Sequence, residues 1–383
     1  MIDSKLRRIV TKNQDLLLML TRKLPDFILN SSSDLSLPPV FTFHDVTREQ
    51  LEPQLRYLYT NGYRTLTADQ LYERLLTNET LSDREIVLTF DDGNKSLWSD
   101  AYPILSKYGF TAVAFILPGL ISSKNGRQPW SAAQQRLCTW DEIKEMSNSG
   151  IIDFQVHSMF HHTIFISRRI VGYAAPNHKF SFLDDYFFPV RISDTNILFP
   201  DQLPYGTPLY ESASRFGKSL RYIDSISLRN ACTEFVAKNG GEMFFQHSNW
   251  KILLDSFAHQ YISKHNYEPR FETAKERSNS IRHDLREAKS ILEDKLPNKK
   301  IRHFCFPWNE GCSLSAKISA EEGYITNFWG YEIPNICKKQ NYPLGISRLD
   351  SLYIWRLPGK GKYSLAKILS HRFSKINVKR YAI

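Results

Sequence analysis

The chain has no CxxC pair, and its five cysteines, at positions 138, 232, 305, 312 and 337, are odd in number and widely spaced. That pattern gives neither a disulfide framework nor a cysteine zinc site, and a reducing compartment suits it best. Nowhere do about 18 apolar residues run together, so no segment reads as a membrane span. The first residues, MIDSKLRRIVTKNQDLLLMLTRKLPDF, lack the unbroken apolar core and small-residue cleavage site of a secretory signal. A cytoplasmic location is the resulting expectation. Acidic residues are absent after Asp350, whereas Arg356, Lys360, Lys362, Lys367, Arg372, Lys375, Lys379 and Arg380 put eight positive charges there. Of the formal net charge of +10, only +2 (10 − 8) remains without that tail. A nucleic-acid protein usually carries its charge on the folded domain, so no nucleic-acid partner is expected.

What is present is a chain of 383 residues, 42% apolar, long enough for one large core or two ordinary ones. Residues 1–36 read as a basic, partly amphipathic helical appendage, with Asn30 to Asp34 as a polar linker. From Pro38 onward helices and strands alternate. PVFTFHDV and REIVLTFDDG read as strands separated by the helix LEPQLRYLYTNGY. Leu97 to Tyr108 reads as a helix closed by Gly109, TAVAFIL as a strand, TWDEIKEMSNSG as a helix capped by Thr139, and IIDFQVHS as a strand. Such βα repetition predicts a parallel sheet or barrel with helices outside. Between about 166 and 278 the rhythm fails and aromatics, Pro and Asn accumulate, which reads as a folded insertion with helices in its later part. The alternation returns with SIRHDLREAKSILEDKL, IRHFCFPW, SLSAKISAEEGY and ITNFWG.

Three features fall at the C-terminal ends of predicted strands, where the loops of βα folds converge. Thr89-Phe90-Asp91-Asp92-Gly93 sets two carboxylates side by side, so that one can bind a metal while the other handles a proton. The alternative is a solvated Asp-Gly turn. His157-Ser158-Met159-Phe160-His161 spaces two imidazoles so that a helical turn would aim both at one point. With one carboxylate they make a two-His, one-Asp site that leaves open positions for water and substrate. Phe304-Cys305-Phe306-Pro307-Trp308-Asn309 can shape a pocket wall and present a backbone N–H to an oxyanion.

In this order, after FTFHDV, the three motifs resemble the polysaccharide deacetylase family, which carries the homology domain of the rhizobial nodulation deacetylase and is akin to carbohydrate esterase family 4. The resemblance covers about 37–165 and 280–357. It implies an α/β fold, a distorted (β/α) barrel of about seven strands, and removal of N- or O-acyl groups from sugars with one divalent metal, commonly zinc. Asp92, His157 and His161 would hold the metal, Asp91 would be the general base, and the Trp308 N–H would be an oxyanion donor. Pro307, Asn309 and Arg348 would contact substrate. Two of the family's groups are missing. Cys305 stands where an arginine that orients the base is usual, and Ser347-Arg348-Leu349-Asp350 has no histidine where Leu-x-His would supply the general acid. His44, His178 and His303 are candidates for the proton donor, and Arg348 and Asp350 are candidate replacements.

The expected organisation is an appendage (1–36), a deacetylase-like barrel (37–165 plus 280–357), an insertion capping the pocket (166–279) and a basic amphipathic tail (358–383). Insertion aromatics such as Phe180, Phe182, Tyr186, Phe187 and Phe188 either stack on sugars or form the insertion's own core. Tail residues Leu365, Ile368, Leu369, Phe373 and Ile376 share one helical face. That face either packs on the barrel or lies on an anionic membrane. In the second case a lipid-linked sugar at the inner face of the plasma membrane becomes the substrate. The function expected is a metal-dependent N-deacetylase of surface polysaccharide or glycoconjugate synthesis. A deformylase acting on a lipid-linked amino sugar and a degenerate glycan-binding protein are the alternatives.

Overall fold

In a computed structural model, the structure describes residues 24–29, 37–77, 84–121, 137–176, 190–191, 197–198, 202–265, 270–331, 333 and 342–370. The first five strands are β1 (Val40–Phe43), β2 (Arg64–Thr65), β3 (Glu85–Asp92), β4 (Ala112–Ile116) and β5 (Ile152–Val156). The chain then leaves this sheet for β6 (Thr163–Tyr173), β7 (Val190–Arg191), β8 (Ile197–Leu198), β9 (Pro208–Ser214), β10 (Tyr222–Ile223) and β11 (Arg270–Phe271). It returns with β12 (His303–Cys305), β13 (Thr326–Phe328), β14 (Leu344–Ile346) and β15 (Leu349–Asp350).

The main sheet runs β14-β13-β12-β5-β4-β3-β1-β15, with β2 paired to β3, and all its pairings are parallel. Its two edge strands are separated in sequence only by Ser347 and Arg348. So few residues reach about 10 Å at full extension. The sheet must therefore curl until its edges nearly meet, which makes the barrel. The path holds eight strands rather than about seven, because β14 and β15 are too short to show a hydrophobic run. β3 and β4 are buried along their whole length, as strands covered on both faces must be. Val87, Val113, Phe115, Cys305, Phe328 and Ile346 pack together inside the curl, and helices cover the outside.

The helices follow their local signals. Thr139 and Glu142 form a reciprocal capping box at the start of Trp140–Asn148, and Gly109 ends Tyr102–Tyr108 at φ +69. A single turn of π-helix, Leu97–Ala101, precedes that second helix. Ile281, Leu285, Ala288 and Leu292 make a continuous buried stripe on Ala274–Lys295.

Residues 163–271 build a four-stranded sheet, β8-β7-β6-β9, a β10-β11 ribbon, and the helices Ile226–Lys238 and Trp250–Lys264. Phe165, Leu209, Tyr210 and Tyr222 form one core there, and Tyr173, Leu228, Cys232, Val236, Phe244 and Leu254 another. The five insertion aromatics named above lie outside the described residues, as does His178. This region is fastened to the barrel by Phe216, whose ring packs on Phe304 and Phe306. A buried bidentate pair stands next to it, with Arg215 donating to both carboxylate oxygens of Glu272 at 2.9 and 2.7 Å. Glu272→Ala strands that guanidinium without a counter-charge, and a loss of about 3–5 kcal/mol in urea unfolding is expected.

Two expected boundaries meet buried residues. Leu24, Phe27 and Ile28, assigned by sequence to the appendage, belong to the main core, and Arg356 donates to the Ile28 carbonyl. The remainder of 1–36 up to Ser36 lies outside the described residues. In the tail, Ile368 is fully buried in the core and Leu365 and Leu369 pack against it. That half of the apolar face is therefore on the barrel, while Phe373 and Ile376 lie outside the described residues. Among the described residues no helix is long and apolar enough to cross a membrane.

Candidate active site

Parallel pairing brings the ends of β3, β5 and β12 to one rim, since they lie within four consecutive strands with β4 between β3 and β5. Side chains alternate along a strand, so Val87, Thr89 and Asp91 share the interior side of β3. Asp92 would then point away. Its φ of +70 breaks the alternation, and Gly93 follows at φ +78 with Ile116 Cγ2 only 3.0 Å from where a Cβ would sit. All five non-glycine residues of positive φ among the described residues, Asp92, Ser158, His161, Trp308 and Asn309, lie at these three strand ends. Strain concentrated in this way marks a site whose side-chain directions are over-determined by their surroundings.

The histidine loop is tied on several sides. The His157 N–H donates to Ile116 O and the His161 N–H to Ser158 Oγ, each at 2.9 Å. The Gly119 N–H donates to Met159 O, and a Cβ at Gly119 would lie 2.4 Å from the Phe160 ring. His157 Nδ1 is 2.9 Å from Cys305 O. A carbonyl only accepts, so Nδ1 carries the proton and Nε2 keeps its lone pair. That Nε2 lies 3.5 Å from Asp92 Oδ1, and His161 Nε2 lies 3.8 Å from the same oxygen. Ligands about 2.1 Å from a tetrahedral zinc ion stand roughly 3.4 Å apart, so this donor set fits one ion. Burial pushes the His157 pKa down to about 4 despite the opposing pull of Asp91, and burial with neighbouring His157 drives His161 well below its usual value. Both rings are then neutral at neutral pH, the form that binds a metal.

Asp91, His157 and Cys305 form a second cluster of possible ligands. It fits an ion poorly. Arg348 Nη1 already donates to Asp91 Oδ1 at 2.6 Å, and burial raises the Cys305 thiol well above its usual range.

Arg348 is the group that supports Asp91. It also donates to Trp329 O, Thr89 Oγ1 and Asn309 Oδ1 at 3.0, 3.3 and 3.1 Å, and its side chain is 1% exposed. Burial would raise the Asp91 carboxyl, but Arg348 foremost, with His157 and His44, outweighs it and holds the group well below the usual carboxylate range. Of the three expected substrate contacts, two are corrected, because Arg348 and Pro307 are buried. Arg348 is bonded to Asp91, whereas Asn309 is exposed and gives its amide oxygen to Arg348. Pro307 is buried in the turn beneath Trp308. The Trp308 ring meets His161 edge-on at 4.6 Å.

Of the three candidate histidines, one stands beside Asp91. His44, just beyond β1, has Nε2 3.8 Å from Asp91 Oδ2, and its side chain is 58% exposed. His303 is bonded instead to Thr326 Oγ1 and Asp69 Oδ1 at the opposite end of β12, and Asp350 turns outward to accept from the Leu352 N–H. The arginine could be named from sequence as a candidate only, because nothing in a linear pattern shows that β14 and β15 bracket the barrel seam.

A model of the polysaccharide deacetylase family matches residues 78–178. A putative polysaccharide deacetylase of Bacillus subtilis, YxkH, is 28% identical over 131 residues, 32% of this chain and 43% of the relative. A poly-beta-1,6-N-acetyl-D-glucosamine N-deacetylase of Staphylococcus aureus is 27% identical over 122 residues, 32% of this chain and 39% of its own length. The chain thus aligns with less than half the length of these curated relatives. Among solved structures, the BpsB deacetylase domain of Bordetella bronchiseptica superposes with a TM-score of 0.51 and 16% identity, covering 82% of this chain and 96% of that one. A de-N-acetylase from Aggregatibacter actinomycetemcomitans gives a TM-score of 0.50 at 16% identity, over 87% and 98% of the two chains. At such identity these two likenesses concern the fold.

Proposed function

We propose that this chain, which belongs to the polysaccharide deacetylase family, is a metal-dependent hydrolase that removes N-acetyl groups from an amino-sugar glycan. The observation that carries this reading is the ion-paired Asp91 standing beside the Asp92, His157 and His161 donor set, with Asp91 Oδ2 4.0 Å from His157 Nε2. Asp92, His157 and His161 would hold a divalent ion, most simply zinc, which would supply Lewis acidity to the water and the acyl oxygen. The chain's own groups do the rest. Asp91, kept ionised and aimed by Arg348, takes a proton from the attacking water as its oxygen bonds to the acyl carbon. The Trp308 N–H is the proposed donor to the oxyanion. His44 delivers a proton to the amide nitrogen as the C–N bond breaks, leaving acetate and a free amine, and its solvent-facing side allows reprotonation.

The named relatives support a polymer of N-acetylglucosamine in surface polysaccharide synthesis, and a lipid-linked amino sugar is the other substrate form within this proposal. The test is acyl release by the zinc-supplemented protein from N-acetylglucosamine oligomers and from lipid-linked and N-formyl amino sugars. Acetate and free amine in equal amounts are expected. Formate alone would favour the deformylase, and no release from any of them would leave a glycan-binding protein. His44→Gln is expected to slow acetate release by about 10²-fold, and a wild-type rate would remove His44 from the mechanism.

A further inference from the structure

The metal loop is held from outside the barrel by one carboxylate that the reaction itself does not use. Asp284 lies on the Ala274–Lys295 helix, far from the histidine motif in sequence, and is 3% exposed. Its Oδ1 accepts from the Met159 N–H at 2.9 Å. Its Oδ2 is 3.7 Å from His162 Nδ1, in a pair whose side chains are 0% and 2% exposed. These two contacts straddle His161. One falls between the two metal-directed histidines, and the other falls on the residue just after the second. A buried carboxylate is costly to desolvate, and its placement on a helix with an otherwise apolar inner stripe needs a compensating role.

We infer that Asp284 is a positioning residue that fixes the His157–His161 loop in its metal-binding shape. The loop has positive φ at both Ser158 and His161, so it has alternatives of lower backbone energy once its outer ties are cut. Other ties come from the ends of β4 and β12, at Ile116 and Cys305, and from Gly119 in the turn after β4. Asp284 is a tie from the helical layer, and it couples that layer to the site. The inference rests on the metal reading above.

The test is the zinc dissociation constant of the full chain by chelator competition, measured beside the thermal midpoint of each metal-free protein. Asp284→Ala should weaken zinc by about 10–100-fold, the range for loss of an outer partner of a metal ligand, with the metal-free midpoint close to wild type. Asp284→Asn, which keeps an oxygen for the Met159 N–H, should bind within about threefold of wild type. Should the alanine variant not fold, Asp284→Glu takes its place, because the added methylene displaces the carboxylate, and the same weakening is expected. Wild-type affinity in the folded Ala or Glu variant overturns the inference. A wild-type protein that takes up no zinc overturns the metal reading instead.

Discussion

Asp91→Asn is expected to lower acetate release by roughly 10⁴-fold, the upper end for loss of a general base, while zinc content stays at the wild-type level. Asparagine is close in shape to aspartate and can still accept from Arg348 Nη1, which lies 2.6 Å from Oδ1. It cannot take a proton from water. Because Asp92 rather than Asp91 stands with the two histidines, the metal donors are untouched. The check is an initial rate at saturating substrate together with metal analysis of the same sample. A variant that keeps a tenth of the wild-type rate would show that the proton goes elsewhere. Loss of zinc along with activity would show that Asp91 belongs to the metal set.

The second large effect concerns stability. Arg348→Met removes the cation that pairs with a carboxylate 2% exposed, and an uncompensated buried charge costs about 3–5 kcal/mol. Asp91→Asn alone strands the guanidinium instead. The double variant Asp91→Asn, Arg348→Met leaves neither charge, so it should be more stable than the sum of the two single losses by more than about 1 kcal/mol. Urea unfolding of the four proteins measures this. Strict additivity would mean that the pair does not hold the barrel seam together. The seam is where the effect should be felt, because Arg348 also bonds Trp329 O beside β13 and Thr89 on β3.

Residues that act through pattern were legible in the sequence. The eight buried residues of β3, the Thr139 cap and the Gly109 terminator all have local signals that tertiary structure did not override. The Asp92, His157 and His161 set was likewise visible, because Asp92 ends β3 and the two histidines sit in the loop directly after β5, and the ends of parallel strands share a rim. The family's arginine and histidine are absent from their usual motif positions, and the cationic and imidazole groups beside Asp91 come from other places in the chain. Arg348 crosses from the link between β14 and β15, strands of three and two residues that carry no periodicity, and His44 follows β1. Asp284 was invisible for a further reason. A carboxylate on a surface-rich helix reads as solvated unless the loop it meets is known. The same limit misplaced Leu24, Phe27 and Ile28, whose partners are distant in sequence.

Metal content of the purified chain bears most directly on the central claim. Elemental analysis of wild type and His157→Ala, after loosely bound ions are removed and zinc is resupplied, should give about one zinc ion per chain in the first and none in the second. Asp284 is intact in both proteins, so the comparison isolates the donor set itself. No metal in either protein would contradict the hydrolase account and leave the barrel as a binding module.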